Sequence, residues 1–491
     1  MTSLKKKKSG GMVSLVYGII AALSLFVPAT LQAEDSVLEI GDKRELFVDD
    51  YLIDTLDGAR QQLTRLRDEG PVLNFDNPWE GAFCGYVTII KDGDEFRCYY
   101  RALPDAGQDG NDAEAYALAI SKDGINWEKP SLGLYEYEGS KENNIVFGHH
   151  APETHNFAPM LDSNPNAKPD ERYKALGGTK RGGGLIAFKS PDGIHWTEMR
   201  EAPVITQGAF DSQNVPMWSE TEQKYICYLR VFVGGIRRIS RCESDDFVNW
   251  TEPQLMEYKG KPVEHLYTNQ TDAYFRAPHI YVATPARFFP GRQVLNEEQA
   301  NEIGVHPKYF KDISDGVFMT TRGGYEYDRT FMEGFIRPGI GYQNWVSRTN
   351  YPARGVIQTG ETEMSVYANM NYGQATAYLR RFSIRLDGFA SIHADYDGGT
   401  ATTKPFTFQG NKLTFNFETS AAGEIYTELQ DADGNPIPGF TLADSVPSIG
   451  NEITRTVRWK SGTDVSSLAG KPVRLHFKLK DADLYSIKFE Q

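Results

Sequence analysis

Cysteine, net positive charge and long apolar runs are all scarce in this chain, and each shortage excludes a class of protein. Four cysteines in 491 residues, Cys84, Cys98, Cys227 and Cys242, are too few and too scattered for a disulfide scaffold, and they lack the paired spacing of a zinc site. With 52 Lys and Arg against 66 Asp and Glu the net charge is -14, which argues against nucleic acid, whose phosphates need a basic face. That balance suits a neutral ligand, or an anionic one met by local arginines. Helical periodicity is weak throughout; the best of it, NEEQANEI near Asn296, sits in a long insertion. Past residue 33 no stretch approaches about 18 uninterrupted apolar residues, so the remainder is expected to be soluble and to have no membrane contact.

The first 33 residues read as an export signal: a basic start at Lys5, Lys6, Lys7 and Lys8, an apolar run from Met12 to Val27, and small residues before a cut after Ala33. The run is short for a bilayer span and is interrupted by Ser14, Gly18 and Ser24, which favours cleavage over anchoring. A periplasmic or secreted protein of roughly 455 residues is expected, too long for one ordinary core.

Within it a degenerate repeat recurs: SKDGINW at Ser121 to Trp127, SPDGIHW at Ser190 to Trp196 and SDDFVNW at Ser244 to Trp250, 69 and then 54 residues apart. TRGGYEYDR from Thr321 and RLDGF at Arg385 to Phe389 look like a fourth and a fifth copy. Each of the first copies follows an alternating strand, such as AYALAIS or GLIAFKS, and the Asp-Gly pair supplies a tight turn. Recurrence at this spacing is what radially stacked sheets produce, so an all-β, five-bladed β-propeller is expected over 34–397. ELFVDDYLI at Glu45 to Ile53 is the strand expected to complete the last blade and close the ring. From about Gly398 the pattern changes to KLTFNFETS, GEIYTELQDADGNPI and KPVRLHFKLKDADLYSIKFE, a C-terminal β-sandwich over 398–491. The DADGN stretch reads as a hairpin turn, lacking the Glu ligand of a calcium loop. Cys227 and Cys242 lie equally far from Gly234-Gly235 and are expected as two buried thiols facing each other across a hairpin.

In a propeller the innermost strands line the axis, so polar residues that open each blade converge there. NPWEG brings Glu80, with Asp76 nearby; HNFAP brings His155 and Asn156; FDSQN brings Asp211, Gln213 and Asn214; VEHLYTN brings Glu264 and His265; GETEMSVY brings Glu361 and Glu363. Glycoside hydrolysis needs two carboxylates across the bond, one protonated and one ionised, and such a set supplies them. Arg276 and His279 of FRAPHIY can clamp a carboxylate or sulfate, and equally can brace an acid between blades. His155 and His265 suit sugar hydroxyls better than a metal; no metal or other cofactor is expected. Trp79 and Trp218 can stack on a sugar ring or simply pack blades.

The chain resembles the five-bladed propeller enzymes of glycoside hydrolase families 32, 43 and 117, and especially a group similar to family 32 that is frequent in marine bacteria. ELFVDDYLI, NPWEGAFCGY, DGINWEKP, FDSQN, EHLYTN, RAPHIYVATPARF and the ending KDADLYSIKFE carry the resemblance. It implies a glycosidase acting on a carbohydrate, with Asp211 as transition-state stabiliser and Glu264, 53 residues later, as general acid. Glu80 is then the blade-one carboxylate, although NPWEG departs from the family's Asn-Asp-Pro-Asn-Gly. His155, Asn156, Asn214, His265, Arg276, His279 and Glu363 are the expected substrate-binding residues. A non-catalytic glycan-binding propeller, a sialidase-like enzyme and a polysaccharide lyase are the competing readings.

Overall fold

The Ser-x-Asp segments build one and the same turn. In the computed structural model, which describes residues 37–107, 109–148 and 150–491, Asp123 Oδ1 accepts the backbone N–H groups of Ile125 and Asn126, and Ser121 Oγ accepts that of Gly124. Asp192 does the same for Ile194 and His195, and Asp246 for Val248 and Asn249. Burial pushes the Asp123 and Asp192 carboxyls up, but the converging N–H donors pull harder and both end at about 2. The residue after each Asp is left-handed: Gly124, Gly193 and, in the third copy, Phe247, with φ of 72°, 74° and 68°. Glycine has a second reason at two of these places. Tyr99 Oη of the preceding blade donates to Gly193 O at 2.9 Å, and Tyr367 Oη donates to Gly124 O, so a tyrosine staples each turn to its neighbour. A Cβ on Gly193 would lie 2.5 Å from Tyr99 Oη, leaving no room for one. Where Phe247 replaces glycine, its own ring fills the gap between blades beside Met160, Leu176 and Trp218.

These turns close blades of four antiparallel strands, to which blade one adds a fifth, Ile145–Gly148, beside Ala115–Ser121. Blade one is Gly85–Asp92, Glu95–Ala102, Ala115–Ser121 and Trp127–Glu128; blade two is Ala158–Leu161, Tyr173–Thr179, Gly184–Ser190 and Thr197–Glu198. Blade three is Val215–Ser219, Lys224–Val233, Ile236–Ser244 and Gln254–Leu255. Its long hairpin turns on Gly234 and Gly235, both at positive φ, and pairs Cys227 directly with Cys242; all four cysteines are buried free thiols. Blade four, Asp272–Tyr274, Ala277–Ala283 and Met319–Thr321, carries the insertion, with a hairpin Ala286–Phe289/Ile313–Gly316. The insertion also holds the α-helix Glu297–Glu302, started by a capping box between Asn296 and Gln299. Blade five is Tyr351–Pro352, Glu363–Met370 and Tyr378–Arg385, and its outer strand is Arg67–Asn74, which closes the ring.

The closing strand is therefore not ELFVDDYLI. Arg44–Leu46 pairs instead with Val473–Glu490 in the C-terminal sheet, and Leu38–Gly41, Ile53–Asp57 and Ala59–Leu63 join the same sheet. Two long strands, Lys412–Asp431 and Val473–Glu490, pair along almost their whole length and bend at Thr419/Glu424, wrapping the C-terminal β-sandwich around Phe415, Phe417, Trp459, Phe477 and Phe489. The DADGN segment is a turn, with Asp431 Oδ1 accepting the N–H groups of Asp433 and Asn435.

The looser repeat copies differ for identifiable reasons. TRGGYEYDR turns on Gly323 and Gly324, and the carboxylate beside it is not its own but that of Glu222, 2.9 Å from where a Gly323 Cβ would stand. In RLDGF, Asp387 is fully buried and accepts from Tyr274 Oη and Ser486 Oγ, both at 2.8 Å, with Arg44 and Arg276 at 3.3 and 3.2 Å. Asp387 thus ties blade four and the propeller's end to the sandwich. The segment expected to direct export, 1–33, lies outside the described residues.

Candidate active site

A cavity of about 350 Å³ marks one end of the propeller axis, lined by Ile89, Met160, Met217, Asp272 and Ile357, one from each blade. Above it, side-chain amides close the channel. Gln213 Nε2 donates to Thr88 Oγ1 at 2.7 Å, and Gln270 Nε2 donates to Gln213 Oε1 and Pro352 O, which ties blades one, three, four and five together. What lies beyond this amide layer is the mouth formed by the loops that open the blades.

Backbone strain concentrates at that mouth. Among the described residues twelve non-glycine residues have positive φ, and six of them lie at this end: Asn156, Gln270, Arg348 and Asn350 in the loops that open blades, Tyr86 at the start of the first strand of blade one, and Asn371 just after the second strand of blade five. Each left-handed L-residue costs about 1–2 kcal/mol, and such strain persists where the surroundings fix the chain for another purpose.

The side chains gathered there include guanidinium groups, phenols and the carboxylate of Asp211. Arg230, in the second strand of blade three, pairs with Asp211 and lies 4.5 Å over the ring of Tyr267. Arg237 and Arg348 approach the same ring at 5.1 and 5.4 Å. Burial alone would push the Tyr267 phenol up, but Arg348, Arg230 and Arg237 outweigh it and hold it below the usual tyrosine value. Arg348 is also flanked by Tyr309 and Tyr372. Arg101, in the second strand of blade one, is buried against Tyr86 and donates to Phe83 O, Asn156 Oδ1 and Tyr372 Oη.

Behind Arg101 runs a buried chain that fixes its position. Glu114 lies 2.8 Å from His155 Nδ1, and Asn156 Nδ2 lies 3.0 Å from His155 Nε2. His155 Nδ1 thus faces the carboxylate and Nε2 faces the Asn156 amide, whose Oδ1 accepts from Arg101 Nη1. Burial pushes Glu114 up, yet His155 and Arg101 hold it below the ordinary value.

Of the residues singled out in the sequence, Asp211, His155, Asn156 and Asn214 stand at this mouth. Asn214 is buried, donates to Ser212 O, and its Oδ1 has no donor. His265 sits on the rim, its Nδ1 3.4 Å from the Arg237 backbone N–H, and burial followed by Arg237 lowers its pKa. The others are placed elsewhere. Glu80 is buried within blade one, bonded to Tyr100 Oη and Lys129 Nζ at 2.6 Å each and to the Asn77 N–H. Glu264, next to His265, accepts from Arg329 Nη1 at 2.7 Å and Arg287 Nη1 at 3.2 Å. Arg276 pairs with Asp387, and His279 with Glu45, both beside the sandwich. Glu363 is tied to Arg381 and Arg67 on blade five.

Arg101, Arg230, Arg348 and Tyr267 were not singled out by blade-opening position. A signal for two of them exists: the second strands of blades one and three both read Cys-Tyr-x-Arg, at Cys98 to Arg101 and Cys227 to Arg230, with a charge in an otherwise apolar run. Among the described residues no three His, Cys, Asp or Glu side chains gather to hold a metal ion.

No protein-family model and no curated protein matches the chain. Solved structures of similar outline include a glycoside hydrolase at 10% identity and a TM-score of 0.44, covering 65% of this chain and 92% of that one. An N-acetylgalactosamine deacetylase from F. plautii, in complex with blood group B trisaccharide, matches at 13% and 0.44, covering 66% and 97%. A fructofuranosidase from Schwanniomyces occidentalis, complexed with fructosylnystose, matches at 12% and 0.38 over 85% of this chain and 96% of that one. At such identities, and with TM-scores below 0.5, none of them assigns a reaction to this chain.

Proposed function

We propose that the protein is an exported glycoside hydrolase whose active site is the propeller mouth around Asp211 and Tyr267. The observation that carries the reading is Arg230, which touches the Asp211 carboxylate on one side and the Tyr267 ring on the other. A carboxylate and an acidified phenol set about one guanidinium supply a base and an acid. Cleaving a glycosidic bond needs such a pair: an ionised group to attack or to activate water, and a proton donor for the leaving oxygen. Asp211 takes the first role and Tyr267 the second, because the guanidinium groups that stabilise its phenolate ease proton release. Arg101, oriented by Glu114, His155 and Asn156, and the unsatisfied amide of Asn214 serve as hydrogen-bond partners for sugar hydroxyls. The basic start and apolar run before Ala33 support export.

One observation favours a second reading. A phenol held toward its anion by arginines is also the base that a polysaccharide lyase uses. Incubating the protein with a panel of soluble polysaccharides and separating the products decides between them. Saturated sugars with new reducing ends support hydrolysis; products bearing a carbon–carbon double bond support elimination; binding with no new ends on any glycan removes both in favour of a lectin.

A further inference from the structure

Buried arginines elsewhere in the chain have carboxylate partners. Arg241 has Glu222 and Glu243, Arg322 has Glu45 and Asp49, and Arg381 has Glu363. The mouth breaks this pattern. Four guanidinium groups, those of Arg101, Arg230, Arg237 and Arg348, meet two carboxylates, and one of these, Glu114, is taken by His155 behind the wall. Asp211 serves Arg230. For Arg237 and Arg348 the described ion pairs include no acid; their neighbours are aromatic faces, a histidine, and the Tyr309 hydroxyl at 3.4 Å.

The donors are also unfinished. Arg230 has a side chain only 2% exposed, and its Nε and Nη1 have no acceptor; the Nε of Arg237 has none either. Taking a guanidinium out of water without a counter-charge is costly, and the cost is recovered when an oxyanion arrives, because carboxylate and sulfate oxygens match the guanidinium fork two at a time. In a chain of net charge -14 acids are plentiful, so their shortage here is a property of the site.

We infer that the sugar held in this mouth carries an oxyanion substituent, a carboxylate or a sulfate ester, clamped by Arg348 and Arg237 with Arg230 behind them. This rests on the reading of the mouth as the glycan site and narrows its substrate to anionic sugars. The rings of Tyr267, Tyr309 and Tyr372 lie 5.4, 5.0 and 5.7 Å from the Arg348 guanidinium and hold it by cation–π contact. With no carboxylate partner among the described ion pairs, Arg348 and Arg237 offer donors to a sugar's negative group, which a neutral sugar lacks.

The test is titration calorimetry of the full chain with D-glucuronate, D-galacturonate, D-galactose 6-sulfate, D-galactose and sodium sulfate. Binding of at least one charged sugar, with neutral galactose at least about tenfold weaker, is expected; which charged sugar binds separates carboxylate from sulfate. Arg348→Gln and, independently, Arg237→Gln should each weaken that sugar about 10- to 100-fold, the range of a charge-assisted hydrogen bond, with thermal unfolding checking that both variants fold. Neutral galactose binding as tightly as the charged sugars, no charged sugar binding, free sulfate matching the sulfated sugar, or folded variants of undiminished affinity would each overturn the inference. The two claims fail separately: hydrolysis of a neutral glycan would refute the clamp and leave the hydrolase standing, whereas tight uronate binding without cleavage of any glycan would do the reverse.

Discussion

Substituting Gly193 by alanine tests the turn that joins blade one to blade two. Two effects add. The φ of 74° puts an L-residue in the left-handed region, at about 1–2 kcal/mol. The new Cβ also meets Tyr99 Oη and Arg97 Nη1 at 2.5 Å each, which forces the tyrosine off the Gly193 carbonyl and loses a hydrogen bond worth about 1 kcal/mol. Gly193→Ala should therefore cost about 3 kcal/mol. Tyr99→Phe alone should cost about 1 kcal/mol, because Trp196 Nε1 still donates to that carbonyl at 3.0 Å. The two should not add: with the hydroxyl gone, the alanine methyl loses its main obstacle, and the double variant should be about 1–2 kcal/mol more stable than the sum. Gly234→Ala is the control, with a φ of 59° and nothing within 4 Å of its Cβ, so it isolates the backbone strain. Urea unfolding followed by tryptophan fluorescence measures all four. Strict additivity within about 0.3 kcal/mol, or a Gly193→Ala cost no larger than that of Gly234→Ala, would refute the staple.

Further outcomes follow from the ion pairs and the phenol. Asp192→Asn should destabilise the fold by about 1 kcal/mol at neutral pH, after discounting for its 44% exposure. Because the folded carboxyl lies at about 2, below its unfolded value of about 4, this stability is present above about pH 4 and is lost as pH falls toward 2; unfolding midpoints across that window should converge. Asp387→Ala leaves Arg44 and Arg276 without their acid and should cost about 3–5 kcal/mol, read by urea unfolding, whereas a cost under about 1 kcal/mol would show that the hub is dispensable. For glycan cleavage, Tyr267→Phe should slow turnover about 10²- to 10⁴-fold, and Arg348→Gln should move the alkaline limb of the wild-type pH–rate profile upward, since it removes a charge that favours the phenolate. An unmoved limb would take the phenol out of the proton transfer.

Three of the five blades were readable because the Asp turn is purely local: Ser, Asp and the left-handed residue after it bond within six residues, wherever the blade sits. RLDGF shares the Asp-Gly pair, yet Asp387 is a buried hub between blade four and the C-terminal sheet, and local spacing cannot tell a solvent turn from such a hub. Ring closure depended on pairing between residues 67–74 and 378–385, and the true closing strand, RDEGPVLN, carries Gly70 and Pro71 and so reads less like a strand than ELFVDDYLI does. Blade-opening position picked out Asp211, His155, Asn156 and Asn214, and the loops in which they lie bring these four to one end of the propeller. It led to Glu80 and Glu264 as well, but their partners, Lys129, Arg287 and Arg329, lie 49, 23 and 65 residues away and are invisible in the local motif. Arg101 and Arg230 were hidden for the opposite reason, since they belong to second strands whose alternation sends one long side chain back to the mouth.

The release of reducing ends from a soluble anionic polysaccharide by the wild type and by Asp211→Asn tests the central claim most directly. The account predicts cleavage by the wild type and a loss of about 10²- to 10⁴-fold in the variant, the usual contribution of an acid–base group, with the fold intact by circular dichroism. A folded Asp211→Asn that releases reducing ends at the wild-type rate would contradict it.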